Sequence, residues 1–130
     1  MSQTQPVIAI VDDEASIRRA LARLLYTVGW HTATFPSAEA FLQTGMQASP
    51  DCLIIDVWLP SMTGVELQEH LVATGNTLPV VIITGREDLH MRMRAMQAGA
   101  VAYLLKPLDG QDLLQILQEA LDGRRLSGSS

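Results

Sequence analysis

The order of apolar runs in this chain predicts an α/β protein, a doubly wound five-stranded parallel sheet with helices on both faces. Two observations carry that reading. Residues 7–11, 52–55, 80–83 and 101–105 form four runs that are almost wholly apolar over the length of a strand, as strands covered on both faces are. Between them lie stretches whose apolar residues recur every three or four positions, the period of a helix. Strand and helix alternate five times with short connections, and right-handed crossovers then bury every apolar face.

Each element has its own signal. Residues 31–35 are half polar and read as an edge strand. Ile17, Ala20, Leu21, Leu24, Leu25 and Val28 draw one apolar stripe for the first helix. Ser37 is placed to cap a short helix carrying Phe41 and Leu42. Thr63 followed by Glu66 has capping-box spacing, so the third helix starts just before Val65. Asp109 suits the N-cap of a last helix whose stripe includes Leu113, Leu117, Ala120 and Leu121. Gly29, Gly45, Gly75 and Gly99 each follow a helical pattern, where a left-handed residue ends the helix. The helix between Gly85 and Gly99 is poorly drawn, because Met91, Met93 and Met96 alternate with Arg92 and Arg94. Weak anchoring of that kind suits a moving element.

A chain of 130 residues fits one domain. Periodicity stops at Gly123, so we expect a domain over 1–122 and a linker or terminal tail over 123–130. Net charge of −5 argues against this segment gripping nucleic acid by itself. No run approaches the ~18 apolar residues of a membrane span, and residues 1–6 lack the pattern of a secretory signal, so the cytoplasm is the expected compartment. The one cysteine, Cys52, sits inside an apolar run and reads as an inert buried thiol. His31, His70 and His90 have no metal-site spacing.

The polar residues that interrupt this pattern fall at strand ends. Asp12 and Asp13 follow the first strand, Asp56 the third, Thr84 the fourth and Lys106 the last. In a parallel sheet all of these ends share one edge, where doubly wound folds bind their ligands. Crowded carboxylates repel one another, and a hard divalent cation with few protein ligands, Mg²⁺ above all, relieves that repulsion. Lys106 adds a compact positive charge and Thr84 a hydroxyl. Such a set suits a transferring phosphoryl group, with one carboxylate as the nucleophile. Taken singly, Asp12 or Asp13 reads as a helix cap, Thr84 as a strand residue and Lys106-Pro107 as a loop. Their joint occurrence favours the site.

Four motifs in this order and spacing resemble those of bacterial response-regulator receiver domains. They are Val11-Asp12-Asp13-Glu14, Asp56-Val57-Trp58-Leu59-Pro60-x-Met62-x-Gly64, Ile83-Thr84-Gly85 and Leu105-Lys106-Pro107. The resemblance spans Val7 to about Leu121. It implies a flavodoxin-like (βα)5 fold with strand order 2-1-3-4-5, and phosphorylation of Asp56 by a sensor histidine kinase. It also implies Mg²⁺ held by Asp13 and Asp56 directly, by Asp12 through water and by the backbone carbonyl of Trp58. Thr84 and Lys106 would hold phosphoryl oxygens, Tyr103 would follow the state of Thr84, and the peptide before Pro107 would be cis. Tyr103 is also an ordinary aromatic strand residue. Such a domain catalyses only its own phosphorylation and dephosphorylation and is not otherwise an enzyme.

The stretch Ala95-Met96-Gln97-Ala98-Gly99-Ala100 with Thr84-Gly85 resembles transcription regulators that carry a LuxR-type helix-turn-helix output domain. That likeness implies a phosphorylation-dependent homodimer through the fourth helix and fifth strand, where Met91, Arg92, Arg94 and Tyr103 would be exposed. DNA contact would belong to an output domain outside these residues. Trp58 and Arg86 depart from the family pattern, and in the family's fold Arg86 would face the same mouth as Trp58. A stack of the two across the site, shielding the acyl phosphate, stands beside an exposed indole used for a partner. Two other readings compete with the receiver. A small-molecule phosphatase with an aspartyl nucleophile would need a cap and usually a second acid at position 58. A degenerate receiver used for binding alone conflicts with intact Asp12, Asp13, Asp56, Thr84 and Lys106.

Overall fold

The computed structural model describes residues 5–128, with side chains through Arg124; the expectations for residues 1–4 and 129–130 lie outside this range. Five strands form one parallel sheet in the order β2-β1-β3-β4-β5. They are β1 (Val7–Val11), β2 (His31–Phe35), β3 (Cys52–Asp56), β4 (Val80–Thr84) and β5 (Ala102–Leu105). Five helices connect and follow them: α1 (Ala15–Tyr26), α2 (Ala38–Thr44), α3 (Gly64–Ala73), α4 (Leu89–Gln97) and α5 (Gly110–Gly128). Every strand pair is parallel, with Ala9 aligned to Ala33 on one side and to Leu53 on the other.

Alternate residues of a strand face opposite sides, so the central strands feed two cores. Ala9, Val11, Leu53, Ile55 and Ile82 pack with Phe41, Val65, Leu67, Leu71 and Ala95 from α2, α3 and α4. Ile8, Ile10, Cys52, Ile54, Val81 and Ile83 pack with Leu21, Leu25, Leu113, Leu117 and Leu121 from α1 and α5. This two-sided burial is why β3 and β4 are apolar without a gap until their last residue. β2, at the edge, is only partly covered, as its half-polar sequence predicts.

Local signals place most helix ends. Ser37 Oγ accepts from Ala40 N at 3.0 Å, and Thr63 and Glu66 form the reciprocal capping box. Asp109 accepts from Asp112 N at 3.0 Å. Asp88 caps α4 by accepting from Met91 N at 2.9 Å, a cap the sequence reading passed over. Gly29, Gly75 and Gly99 have φ of 82°, 85° and 96°.

Four expectations need correction. Gly45 is right-handed, with φ of −60°, and opens a short 3₁₀ turn; the left-handed residue is Ser49. Gly45 is demanded by space, because a Cβ there would collide with the Phe41 ring. The α1 stripe is narrower than drawn, since Ala20 and Val28 are exposed and Ile17, Leu21, Leu24 and Leu25 make the contact. β5 begins at Ala102, leaving Val101 exposed. The segment expected as a linker from Gly123 continues α5 to Gly128, anchored where Arg124 donates to Asp51 Oδ1 at 3.2 Å. Extending a formed helix costs little once its first turns exist, so weak periodicity did not stop it.

Among the described residues no helix is long and apolar enough to cross a membrane.

Candidate functional site

The C-terminal ends of β1, β3, β4 and β5 meet at one edge of the sheet, bringing together the residues singled out from sequence. Asp12 is fully buried just beyond β1, and its backbone N donates to Phe35 O at 3.1 Å. Its Oδ1 accepts from Glu14 N at 2.8 Å, and its carbonyl accepts from Arg18 at 2.7 Å. Asp56, the last residue of β3, is 4% exposed. Carboxylate oxygens of Asp12, Asp13 and Asp56 lie within 4.8 Å of one another. Behind Asp56, Gly64 N donates to Val57 O at 2.8 Å, and a Cβ on Gly64 would overlap the Asp56 backbone carbonyl. The start of α3 therefore rests directly on the acidic centre.

Lys106 is the counter-charge. Its Nζ lies 3.0 Å from Asp12 Oδ2 and 3.2 Å from both Glu14 Oε1 and Asp56 Oδ1. Its backbone N donates to Thr84 O at 2.8 Å, and its peptide to Pro107 is cis. One ammonium among these acids is not enough. Burial, and then the charge of Asp12, push the Asp56 carboxyl up to about 6, against the pull of Lys106. Burial alone would lower the Lys106 pKa, but the Asp12 hydrogen bond and the neighbouring carboxylates raise it above the ordinary lysine value. Three crowded carboxylates, two of them buried, one held part-way to neutrality, are a donor set that a hard divalent cation would relieve.

Thr84 is buried, and its hydroxyl is engaged with the following loop, donating to Arg86 O at 2.9 Å and accepting from Arg86 N at 3.1 Å. Tyr103 corrects an expectation. Its side chain is turned inward and is 6% exposed, because the Arg92 guanidinium lies 4.6 Å above its ring and the α4 core packs beside it. Its hydroxyl has no hydrogen-bond partner among the described residues. Burial, and then the charge of Glu87, raise its pKa. Cys52 is buried and its thiol is pushed up to about 12 by burial, consistent with an inert role.

Trp58 and Arg86 do stack. The guanidinium carbon is 4.1 Å from the indole centroid, and Trp58 Nε1 donates to Arg86 O at 3.4 Å. They form part of the wall of a cleft of about 360 Å³ that also exposes Asp13, Asp56 and Lys106. Sequence reasoning missed two participants. Glu14 is a third acidic partner of Lys106, and its place directly after Asp12-Asp13 was the available signal. Arg18, four residues further along α1, steadies the Asp12 carbonyl, and only the folded geometry reveals it.

An acidic centre with one lysine at the C-terminal edge of a 2-1-3-4-5 parallel sheet defines a class, the receiver domains of two-component signalling. Residues 8–118 match the family described as the response regulator receiver domain, and the chain belongs to that family. It is 37% identical over 121 residues to the response regulator protein TmoT of Ectopseudomonas mendocina, covering 93% of this chain and 55% of that protein. It is 36% identical over 124 residues to nodulation protein W of Bradyrhizobium diazoefficiens, covering 95% of this chain and 55% of the relative. The chain thus spans about half the length of these curated relatives. Among solved structures, a CheY-like receiver domain from Methanospirillum hungatei superposes with a TM-score of 0.86 at 28% identity, covering 95% of this chain and 99% of that one.

Proposed function

We propose that this receiver takes a phosphoryl group from a sensor histidine kinase onto Asp56, and that the aspartyl phosphate resets a surface made by α4 and β5. The observation that carries the reading is the shared position of Asp56, buried at a strand end, 3.2 Å from Lys106 and crowded by two further carboxylates.

An Asp56 oxygen attacks phosphorus, the bond from phosphorus to the imidazole nitrogen breaks, and the donor histidine leaves as the neutral ring after gaining a proton. Asp13 and Asp56, with Asp12 behind them and the Trp58 carbonyl beside them, would hold Mg²⁺, which neutralises charge on the transferring oxygens. Lys106 moves from carboxylate partners to a phosphoryl oxygen. Thr84 exchanges its Arg86 contacts for another phosphoryl oxygen, and Tyr103, already turned inward beneath Arg92, shifts towards the space that Thr84 leaves. Water later hydrolyses the acyl phosphate, so the domain catalyses only its own modification and its reversal. The Trp58–Arg86 stack narrows the approach of that water.

We place the receiver unit at residues 1–122, with 123–130 as a connector that begins as the last turns of α5. In the full protein, in the cytoplasm, the modified α4–β5 face would pair with a second copy, and a LuxR-type output domain would contact DNA.

Intact mass after incubation with acetyl phosphate tests the acceptor. We expect a gain of about 80 Da, one phosphoryl group, that needs Mg²⁺ and vanishes in Asp56→Asn. Absence of any gain, or an undiminished gain in Asp56→Asn, would overturn it.

A further inference from the structure

α4 is held differently from the other helices. Ala95 is its one buried residue, while Leu89, Met93 and Met96 stand exposed. Met91 is only half-buried against the core, Arg92 stacks on Tyr103, and the links to α3 are polar. Gln68, 1% exposed in a helix interior, donates through Nε2 to Ala95 O at 2.9 Å. Its Oε1 has no partner among the described residues, so the amide sits in this apolar layer with a single bond. One residue on, Glu69 takes the Arg94 guanidinium in a two-point pair, with Nε to Oε2 at 3.1 Å. That pair holds the Glu69 carboxyl below the usual range, the Arg94 hydrogen bond being the main cause. An amide whose carbonyl oxygen is unmet is an unusual occupant of a core position, where an apolar residue would pack without that cost.

We propose that Gln68 and Glu69 form a latch that sets the position of α4, and that α3 thereby gives the site a second connection to the α4 face beside that through Thr84 and Tyr103. The first turn of α3 bears on the Asp56 backbone at Gly64, and its second turn carries the latch. A shift of the β3–α3 connection is passed along a rigid helix to Ala95 and Arg94. The connection, though not the latch, rests on Asp56 being the acceptor.

Hydrogen exchange of α4, read by mass spectrometry, separates the two. In the unmodified protein, Gln68→Met keeps side-chain length and removes the donor, while Glu69→Arg and Arg94→Glu reverse one charge each at a partly exposed pair. We expect α4 to exchange about tenfold faster in each, with α1 and α5 unchanged, and the double swap to recover most of the protection. Wild-type exchange in all three single variants would overturn the latch. With acetyl phosphate and Mg²⁺, the added change in α4 should shrink in Gln68→Met; an added change equal to that of wild type would overturn the connection. Failure of Asp56 to accept phosphate appears in the intact mass rather than in the exchange of unmodified protein, so the two failures are read apart.

Discussion

Helices α4 and α5 flank the same edge strand, yet they are held by different physics. α5 sets Leu113, Leu117 and Leu121 into the core beneath the sheet, and Arg124 ties its far end to Asp51. α4 contributes Ala95 and the half-buried Met91 to the core and is otherwise held by Gln68, Glu69 and the Arg92–Tyr103 stack. Leucines interdigitated in a close-packed core resist displacement, because any shift opens voids or forces clashes. Hydrogen bonds and ion pairs are lost when geometry shifts by an ångström or two. One helix is thus a fixed wall and the other can be repositioned without opening the core. Signalling needs that asymmetry, because a phosphoryl group moves only what is not already locked.

The comparison can be broken most directly in the core. Leu117→Ala should cost about 2–5 kcal/mol in urea unfolding, the range for a buried leucine that leaves a cavity. A loss as small as that of an exposed residue would mean α5 is not the wall described.

The next largest effect lies at the site. The Asp56 carboxyl is raised from 3.8 to about 6 in the fold, so folding favours its protonated form. The stability this gives is present at acid pH and is lost as pH rises from about 4 through 6. Metal-free protein should therefore gain stability on titration from pH 7 to pH 5. Asp56→Asn should flatten that dependence and stabilise the protein at pH 7 by about 3 kcal/mol, several degrees in Tm. Added Mg²⁺ should remove most of the difference between the two. Parallel pH profiles of Tm for wild type and Asp56→Asn would contradict this account.

A smaller effect is expected at the mouth. Trp58→Ala should shorten the life of the aspartyl phosphate a few-fold by opening the stack with Arg86, on the scale of about 1 kcal/mol for a partly exposed cation–π pair. Decay followed by intact mass measures it, and an unchanged lifetime excludes shielding. Smallest of all, Met93→Ala and Met96→Ala should change stability by no more than about 0.5 kcal/mol. A cost like that of Leu117→Ala at either position would erase the contrast between the helices.

Much of this was legible in the residues. The strands announced themselves because burial on both faces leaves no polar position to confuse the pattern, and the edge strand because one side is not covered. Thr63 with Glu66, Ser37 and Asp109 were readable as caps because a cap is a contact within three residues. The acids, Thr84 and Lys106 were readable because a polar residue directly after an apolar run marks a strand end. What escaped was non-local. Nothing near Gly45 in sequence says that the Phe41 ring will occupy the space above it. Nothing in Gln68 says that it will be buried against Ala95, twenty-seven positions on. Weak periodicity after Gly123 suggested a linker, and an ion pair with Asp51 from a distant turn helps hold the helix instead.

The sequence by itself determined which segments are strands and helices and which polar residues reach the functional edge, since those follow from periodicity and nearest-neighbour contacts. Only the tertiary structure decided how Lys106 is divided among Asp12, Glu14 and Asp56, that Tyr103 lies inward beneath Arg92, and that α4 hangs on α3 by a polar latch. Each of those depends on distances between side chains far apart in the chain, and such distances exist only once the layers have packed.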